Sequence, residues 1–382
     1  MKILLIGEYS RLHNSLKEGL KSLGHEVVLV GNGDLFKNYP VDISIDSPLA
    51  SKYLPLFIRK LFFKLFKIDL WDYEKVRKLK KNIPNFHGYN VVQLINEDAF
   101  SLQPKIQKKY ISILKNQNEQ LYLLTCGDDN ISINHYLQNN DKYSILTPYL
   151  KDNSLKKNYY YSLKYTLKSY QDLHEFIFKI IKGVIASDID YHLPLRQHKK
   201  YLGLIPNPIN IDKLEYSELN ITNKITIFHG VNSKNYIKKG NKFFDEALDI
   251  IKSKYAEKVS IIRTEDLPYN QYIEAFNKAH IVLDQVYAYD QGYNALEAMA
   301  KGKVVFTGAE QEWLDYYNLE ENTVAINALP ETEAIVGKLT WLIENPSNIL
   351  VISKNARTFI EREHHYITIA KRYLKTWEEN AN

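Results

Sequence analysis

Short, uninterrupted apolar runs alternate with longer amphipathic stretches along this chain, and the alternation starts afresh past its middle. Strands are expected at 2–6, 26–30, 90–95, 120–125 and 183–186, each too short and too continuously apolar to be a helix. Between the first two, Leu12, Leu16, Leu20 and Leu23 recur at helical spacing, and Gly24 marks the stop. Strand, helix, strand in that rhythm builds a parallel sheet covered by helices on both faces. A second set of strands is expected at 224–229, 259–263, 281–284, 303–307 and 323–326, with helices between them at 242–254, 269–279 and 294–301. Helices at 332–344, 349–362 and 365–378 close the chain. The join falls at 204–210, LIPNPIN, where Pro206 and Pro208 discourage regular structure.

The fold class expected is therefore α/β, with two doubly wound, Rossmann-like domains facing a central cleft. Ligands in such sheets bind beyond the carboxyl ends of the strands. A chain of 382 residues suits two domains of roughly 100 to 200 residues each. The expected boundaries are 1–204 for the first domain, with 364–382 packing back on it, and 205–363 for the second.

Composition enters mainly by exclusion. Cys126 is the only cysteine, so neither an internal disulfide nor a cysteine-based metal site can form. The net charge of +5 accompanies no nucleic-acid-binding module, and nucleic acid is not an expected partner. No apolar stretch approaches the roughly 20 residues that span a bilayer. The opening MKILLIGEYS lacks the longer apolar region and cleavage site of a signal peptide, so a cytoplasmic address is expected. One segment bears on membranes. In 51–67, Leu54, Phe57, Ile58, Leu61, Phe62 and Leu65 share one helical face, while Lys60, Lys64 and Lys67 share the other. Such a helix either lies in an anionic interface, placing the protein at the inner face of the cytoplasmic membrane, or packs on the first sheet with its basic face in solvent.

The stretch 284–305, DQVYAYDQGYNALEAMAKGKVV, carries most of the chemistry. A strand ends at Asp284, and Gly292 permits a close or unusual backbone approach. A helix then begins near Asn294 and stops at Gly302. Gly292, Tyr293, Asn294 and Ala295 thus form a loop entering a helix N-terminus, which presents amides and a partial positive charge to a phosphate. Glu297, expected in the first turn, would either accept hydrogen bonds from ribose hydroxyls or only complement the helix dipole. The residue types alone leave both open.

LEAMAKGKVV resembles the donor-site signature of retaining GT-B glycosyltransferases (glycosyl transferases group 1), the family that includes sucrose synthases and bacterial polysaccharide and lipopolysaccharide transferases. The resemblance implies that Glu297 holds the ribose of a nucleotide sugar. The family's other glutamate, near the sugar's reacting carbon, falls at Tyr289 here, and Asp290 beside it is the candidate substitute. Residues 228–247 resemble the strand and loop that open the family's second domain, where an Arg and a Lys neutralise the donor's diphosphate. Lys239 matches the Lys. Val231 or Asn232 stands at the Arg position, so Lys234 or Lys238 would supply the second charge. Two cations suit a leaving group that accumulates charge in the transition state. Residues 205–210 resemble the family's Pro-Asn-Gly join, with Pro208 in place of Gly, and 356–377 resembles the closing helix that braces the first domain.

In the first domain the resemblance places Gly7, Glu8 and Tyr9 near the donor phosphates and the acceptor. Cys126-Gly127-Asp128-Asp129 stands where relatives show His-Gly-x-Asp, so Asp128 or Asp129 is expected as an acceptor contact or base, or else as a helix cap. Asn96, Glu97 and Asp98 follow the third strand at the same rim. The implied function is a hexosyltransferase-type enzyme that moves a sugar from a UDP- or GDP-type donor to a glycan or lipid-linked acceptor in cell-surface polysaccharide or glycoconjugate synthesis. Retention is implied, with neither metal nor cofactor. Tyr289 and Cys126 favour an alternative, a non-catalytic nucleotide-sugar-binding scaffold on a degenerate GT-B fold; a GT-B-type epimerase is a third reading. A nicotinamide dehydrogenase is disfavoured, because Gly7-Glu8-Tyr9-Ser10 lacks the Gly-x-Gly-x-x-Gly phosphate loop.

Overall fold

The computed structural model describes residues 1–33, 39–47, 58 and 70–381. Two parallel sheets are built in series. The first contains β1 (Lys2–Ile6), β2 (Glu26–Gly31), β3 (Ile43–Ser44), β4 (Val91–Leu94), β5 (Gln120–Thr125), β6 (Gly183–Ala186) and β7 (Tyr201–Leu204), in the order β3-β2-β1-β4-β5-β6-β7. The second contains β8 (Ile225–Val231), β9 (Val259–Glu265), β10 (Ile281–Leu283), β11 (Val304–Thr307) and β12 (Ile326–Asn327), in the order β12-β11-β10-β8-β9. Ile3, Leu4, Leu5 and Ile6 are all buried, which is why the first strand reads as an unbroken apolar run rather than an alternating one. The edge strands β3 and β7 escape sequence reading. One is two residues long, and the other is half-buried with Gly203 in its middle.

Strand order reverses between β1 and β4 in the first sheet and between β8 and β10 in the second. These are the two switch points where α/β sheets open a crevice. Gly7, Glu8 and Tyr9 follow β1, and Asn96, Glu97 and Asp98 follow β4. Lys239 follows β8, and Asp284 follows β10 directly.

The two halves are tied at the join. Ile209 N–H donates to His364 O at 2.7 Å, and Tyr366 N–H donates back to Ile209 O at 3.2 Å. This exchange sits at the break between Pro346–Glu363 and Tyr366–Glu379, the two helices expected at 349–362 and 365–378, so the stretch 356–377 that resembles one closing helix spans parts of both. The first piece stays on the second domain, where Ser353 Oγ donates to Gly302 O at 2.6 Å. The second lies on helix Leu12–Ser22, and Tyr122 OH donates to Trp377 O at 3.1 Å. Gly19 makes that approach possible, since a Cβ there would lie 2.4 Å from Tyr366 O.

The segment 51–67, on which the membrane expectation rests, lies outside the described residues but for Ile58. No helix among the described residues is long and apolar enough to cross a membrane.

Candidate functional site

At the β8/β10 switch point, Lys239 Nζ lies 2.8 Å from Asp284 Oδ1. Asn294, in the first turn of helix Tyr293–Ala300, donates to the same oxygen at 3.0 Å and accepts from Tyr272 OH at 2.8 Å. One chain of contacts therefore links the loop after β8, the end of β10 and the start of the helix. Gly292 is the N-cap and supplies no side-chain cap to the first-turn amides. Its φ of −75° is ordinary, so of the close or unusual backbone approach that a glycine permits the unusual conformation is not used. A Cβ at Gly292 would make only ordinary contact, 3.9 Å from the Gln285 side-chain amide. Ala295 is fully buried and offers only its backbone N–H.

The helix begins at Tyr293, one residue earlier than expected, and this moves Glu297 out of the first turn. Glu297 lines a narrow crevice with Arg11, Ser15, Asn210 and Tyr293, at the meeting of the two domains. Tyr293 OH donates to Pro208 O in the interdomain join, so its side chain braces the join.

Beyond Asp284 the loop is held by the first domain. Asp290, four per cent exposed, accepts from Ile189 N–H at 2.9 Å and from Gln291 N–H at 2.6 Å. In return Asp190 accepts from Tyr289 N–H and Asp290 N–H, both at 3.1 Å. Asp188 caps helix Ile189–Leu195 in the same cluster. Burial pushes Asp290 up to about 6. It also pushes Asp190 up to about 7, assisted by the charge of Asp290. Tyr289, at the position of the expected glutamate, is itself buried, with its ring centroid 5.5 Å from that of Tyr143. Glu310, after β11, accepts from Lys142 Nζ at 2.8 Å, from Asn327 Nδ2 at 2.6 Å and from Tyr143 OH. Burial works against its ionisation, but these three hydrogen bonds outweigh it and hold the carboxyl below its usual range.

The first-domain candidates separate into cleft and interior. Asp128 Oδ2 accepts from Lys238 Nζ at 2.7 Å, an ion pair across the domains, and from Ser162 Oγ at 2.5 Å. Burial opposes its ionisation, yet the charge and hydrogen bond of Lys238 prevail and lower it. Lys238 is thereby engaged. Lys234 instead lines an interdomain cavity of about 390 Å³ with Tyr159, Tyr236, Lys238, Arg263 and Glu265. Asp129 caps helix Asn130–Leu137, accepting from Ser132 N–H at 2.7 Å, which is the capping alternative left open above. Glu97 is two per cent exposed and bonded to His174 Nδ1 at 2.6 Å, inside the domain rather than on the rim. Glu8 is buried and accepts from Asn14 N–H at 2.8 Å. Gly7 follows β1 and donates to Val30 O at 2.7 Å, and Tyr9 lies against Gly127.

Sequence reading missed Asp190, Lys142, Tyr143 and Glu310. Only Glu310 left a signal, as a carboxylate just past the carboxyl end of a strand in VVFTGAE. Among the described residues no group of three or more His, Cys, Asp or Glu is arranged to hold a metal ion.

Known proteins share this architecture. HepE from Anabaena, solved with UDP and glucose, is 13% identical and aligns over 99% of this chain and 100% of its own with a TM-score of 0.61. Sucrose-phosphate synthase from Thermosynechococcus elongatus is 14% identical, with 99% of each chain covered and a TM-score of 0.63. The fold is GT-B. The UDP-GlcNAc 2-epimerase of Neisseria meningitidis, solved with UDP-GlcNAc, also aligns, at 14% identity over 99% of this chain and 100% of its own, with a TM-score of 0.54. At these identities the likeness speaks for the GT-B architecture alone. Within it, residues 237–375 match the sequence model of a family described as glycosyl transferase-like. That span covers Lys239, Asp284, Asn294, Glu297 and Glu310, and it agrees with the resemblance read from LEAMAKGKVV. No curated protein sequence matches the chain.

Proposed function

We propose that this protein is a glycosyltransferase that takes a sugar from a nucleoside diphosphate and passes it to a glycan or lipid-linked acceptor in cell-surface polysaccharide or glycoconjugate synthesis. The observation that carries the reading is the Lys239–Asp284–Asn294 chain beneath an uncapped helix N-terminus at a switch point. A diphosphate placed there meets the Lys239 ammonium and the first-turn amides, which stabilise the charge that grows on a departing nucleoside diphosphate. That provision needs no metal. Glu297 faces the crevice at the domain boundary and is the ribose contact. Lys234, in the interdomain cavity, supplies a second cation. Asp128, ionised at the boundary, is the acceptor-side contact. Asp290 is committed to Ile189 and takes no part in the chemistry. Transfer with retention follows from the resemblance of the donor segment.

The glycosyl transferase-like match over the donor half favours transfer over epimerisation. A thermal-shift screen with UDP, GDP, TDP, ADP and CMP identifies the base, because a ligand that binds only the folded state raises its melting temperature. Donor hydrolysis or transfer is then measured in Glu297→Ala and Lys239→Ala. Full activity in both removes the site assignment.

A second reading has its own support. Tyr289 and Asp290, where a sugar-facing carboxylate is expected, are both bound to the first domain. That commitment favours a nucleotide-sugar-binding scaffold. Nucleoside diphosphate binding without donor turnover on any acceptor would select it.

A further inference from the structure

The segments that follow β10 and β11 are fastened to each other at three points. Gly308 packs so closely on the 288–290 loop that a Cβ would lie 2.5 Å from Ala288 O and 2.6 Å from Asp290 O. Gln291 Nε2 donates to Gly308 O at 2.6 Å. Glu310 N–H donates to Tyr289 O at 3.2 Å. Glu310 is therefore held beside Tyr289 by the backbone itself. Its side chain is fixed from within the same domain. Asn327 Oδ1 accepts from Ala309 N–H at 3.1 Å, and Asn327 Nδ2 donates to Glu310 Oε1 at 2.6 Å.

The remaining partners come from the other domain. Lys142 Nζ reaches Glu310 Oε2, Tyr143 OH reaches Oε1, and Lys142 N–H donates to the Tyr289 hydroxyl at 3.0 Å. A carboxylate that is three per cent exposed is costly unless its lone pairs are filled. Here one filler is permanent, while two would depart with the first domain whenever the cleft opens. The departure would present side by side a phenol oxygen on the segment that continues from Asp284 and a prearranged carboxylate on the segment that follows β11. Two neighbouring sugar hydroxyls are donors of the right kind for that pair, since a hydroxyl binds an ionised carboxylate through a short, charge-assisted bond.

We propose that Glu310 is the residue that recognises the hydroxyls of the transferred sugar, with the Tyr289 hydroxyl beside it, and that Lys142 and Tyr143 occupy those hydrogen-bonding positions in the closed arrangement. The inference rests on the donor-site reading above and specifies its sugar end. The glutamate expected at 289 is replaced by one from the segment after the neighbouring strand.

Calorimetric titration of UDP against UDP-glucose, and of GDP against GDP-mannose, tests this on the wild type, Glu310→Gln and the double variant Lys142→Met/Tyr143→Phe. The readout is the affinity for the sugar nucleotide relative to its own diphosphate. We expect that ratio to fall about tenfold or more in Glu310→Gln, the effect of weakening a buried charge-assisted contact. In the double variant, which removes the competing partners and keeps the carboxylate, it rises severalfold. Equal ratios in wild type and Glu310→Gln overturn the inference, as does a fall of similar size in both variants, which would make Glu310 a domain clasp only. Failure of every nucleotide to bind the wild type overturns the proposed function and this inference with it. Diphosphate binding with an unmoved ratio overturns this inference alone.

Discussion

Asp284 Oδ1 holds Lys239 Nζ at 2.8 Å, while Asp284 Oδ2 is buried with no hydrogen-bond partner among the described residues. The lysine is thus both the cation of the proposed phosphate site and the neutraliser of a buried carboxylate. Lys239→Ala should show both roles. We expect affinity for the preferred nucleoside diphosphate to drop about tenfold or more, about 1.4 kcal/mol per factor of ten. Stability should drop as well, by about 1–3 kcal/mol, because the abandoned carboxylate keeps its desolvation cost. Titration calorimetry and urea unfolding read the two losses. Intact affinity with lowered stability would reduce Lys239 to a structural ion pair.

Gly308→Ala probes how tightly the segments after β10 and β11 are joined. The added methyl would collide with two backbone carbonyl oxygens, Ala288 O and Asp290 O, which cannot rotate aside as a side chain could. Overpacking of this kind costs about 1–3 kcal/mol. A lowered melting temperature is expected, together with faster amide exchange at 286–291. An unchanged melting temperature would show that the loop yields without cost.

Much of the architecture was legible because burial on both sheet faces leaves its mark as unbroken apolar runs, as in β1, β6 and β11, and the ten expected strands stand close to where they were placed. The edge strands of the first sheet were not, since β3 and β7 bury too little to need such a run. The proposed donor site showed through Lys239, Asn294 and Gly292, which the fold does bring to one switch point. The carboxylates of the first domain were ambiguous for a physical reason. A Glu or Asp past a strand end serves as a cap or an internal ion pair as readily as a substrate contact, and Asp129 and Glu97 do the former. The cross-domain clasps were illegible because Asp190–Tyr289 and Lys142–Glu310 join residues 99 and 168 positions apart, with no local pattern to betray them.

Gly19→Leu should free the C-terminal helix from the first domain. Glycine inside a helix costs about 0.5–1 kcal/mol relative to alanine, so a larger residue would favour helix Leu12–Ser22 taken alone. Docked, however, the new side chain would drive into Tyr366 O at 2.4 Å and the Ala370 methyl at 2.9 Å. The net expectation is destabilisation by about 1–3 kcal/mol, with faster exchange over 366–379 and exposure of the Trp377 indole in fluorescence. A blue-shifted, native-like Trp377 signal would contradict the close-packing argument.

The interdomain carboxylates make a pH-dependent prediction. Asp290 and Asp190 are pushed by burial to about 6 and about 7, with Asp188 also raised by burial and by the charge of Asp190. An unfolded Asp titrates near pH ~4. Across about pH 4 to 7 the folded chain therefore holds more protons than the unfolded one, and these groups lower stability as pH rises through that window. Buried His13, His229 and His364, each lowered to about 4 by burial, slope the other way below their unfolded value. Their contribution is common to wild type and variant, so it cancels in a difference. Asp290→Asn removes one raised carboxyl while leaving an oxygen to accept from Ile189 N–H. Its stability relative to wild type should therefore improve on going from acid to mildly alkaline pH, by about 1–3 kcal/mol. Urea unfolding of both proteins at the two ends of the window measures this. Parallel curves would mean that the three carboxyls do not share protons at the domain boundary.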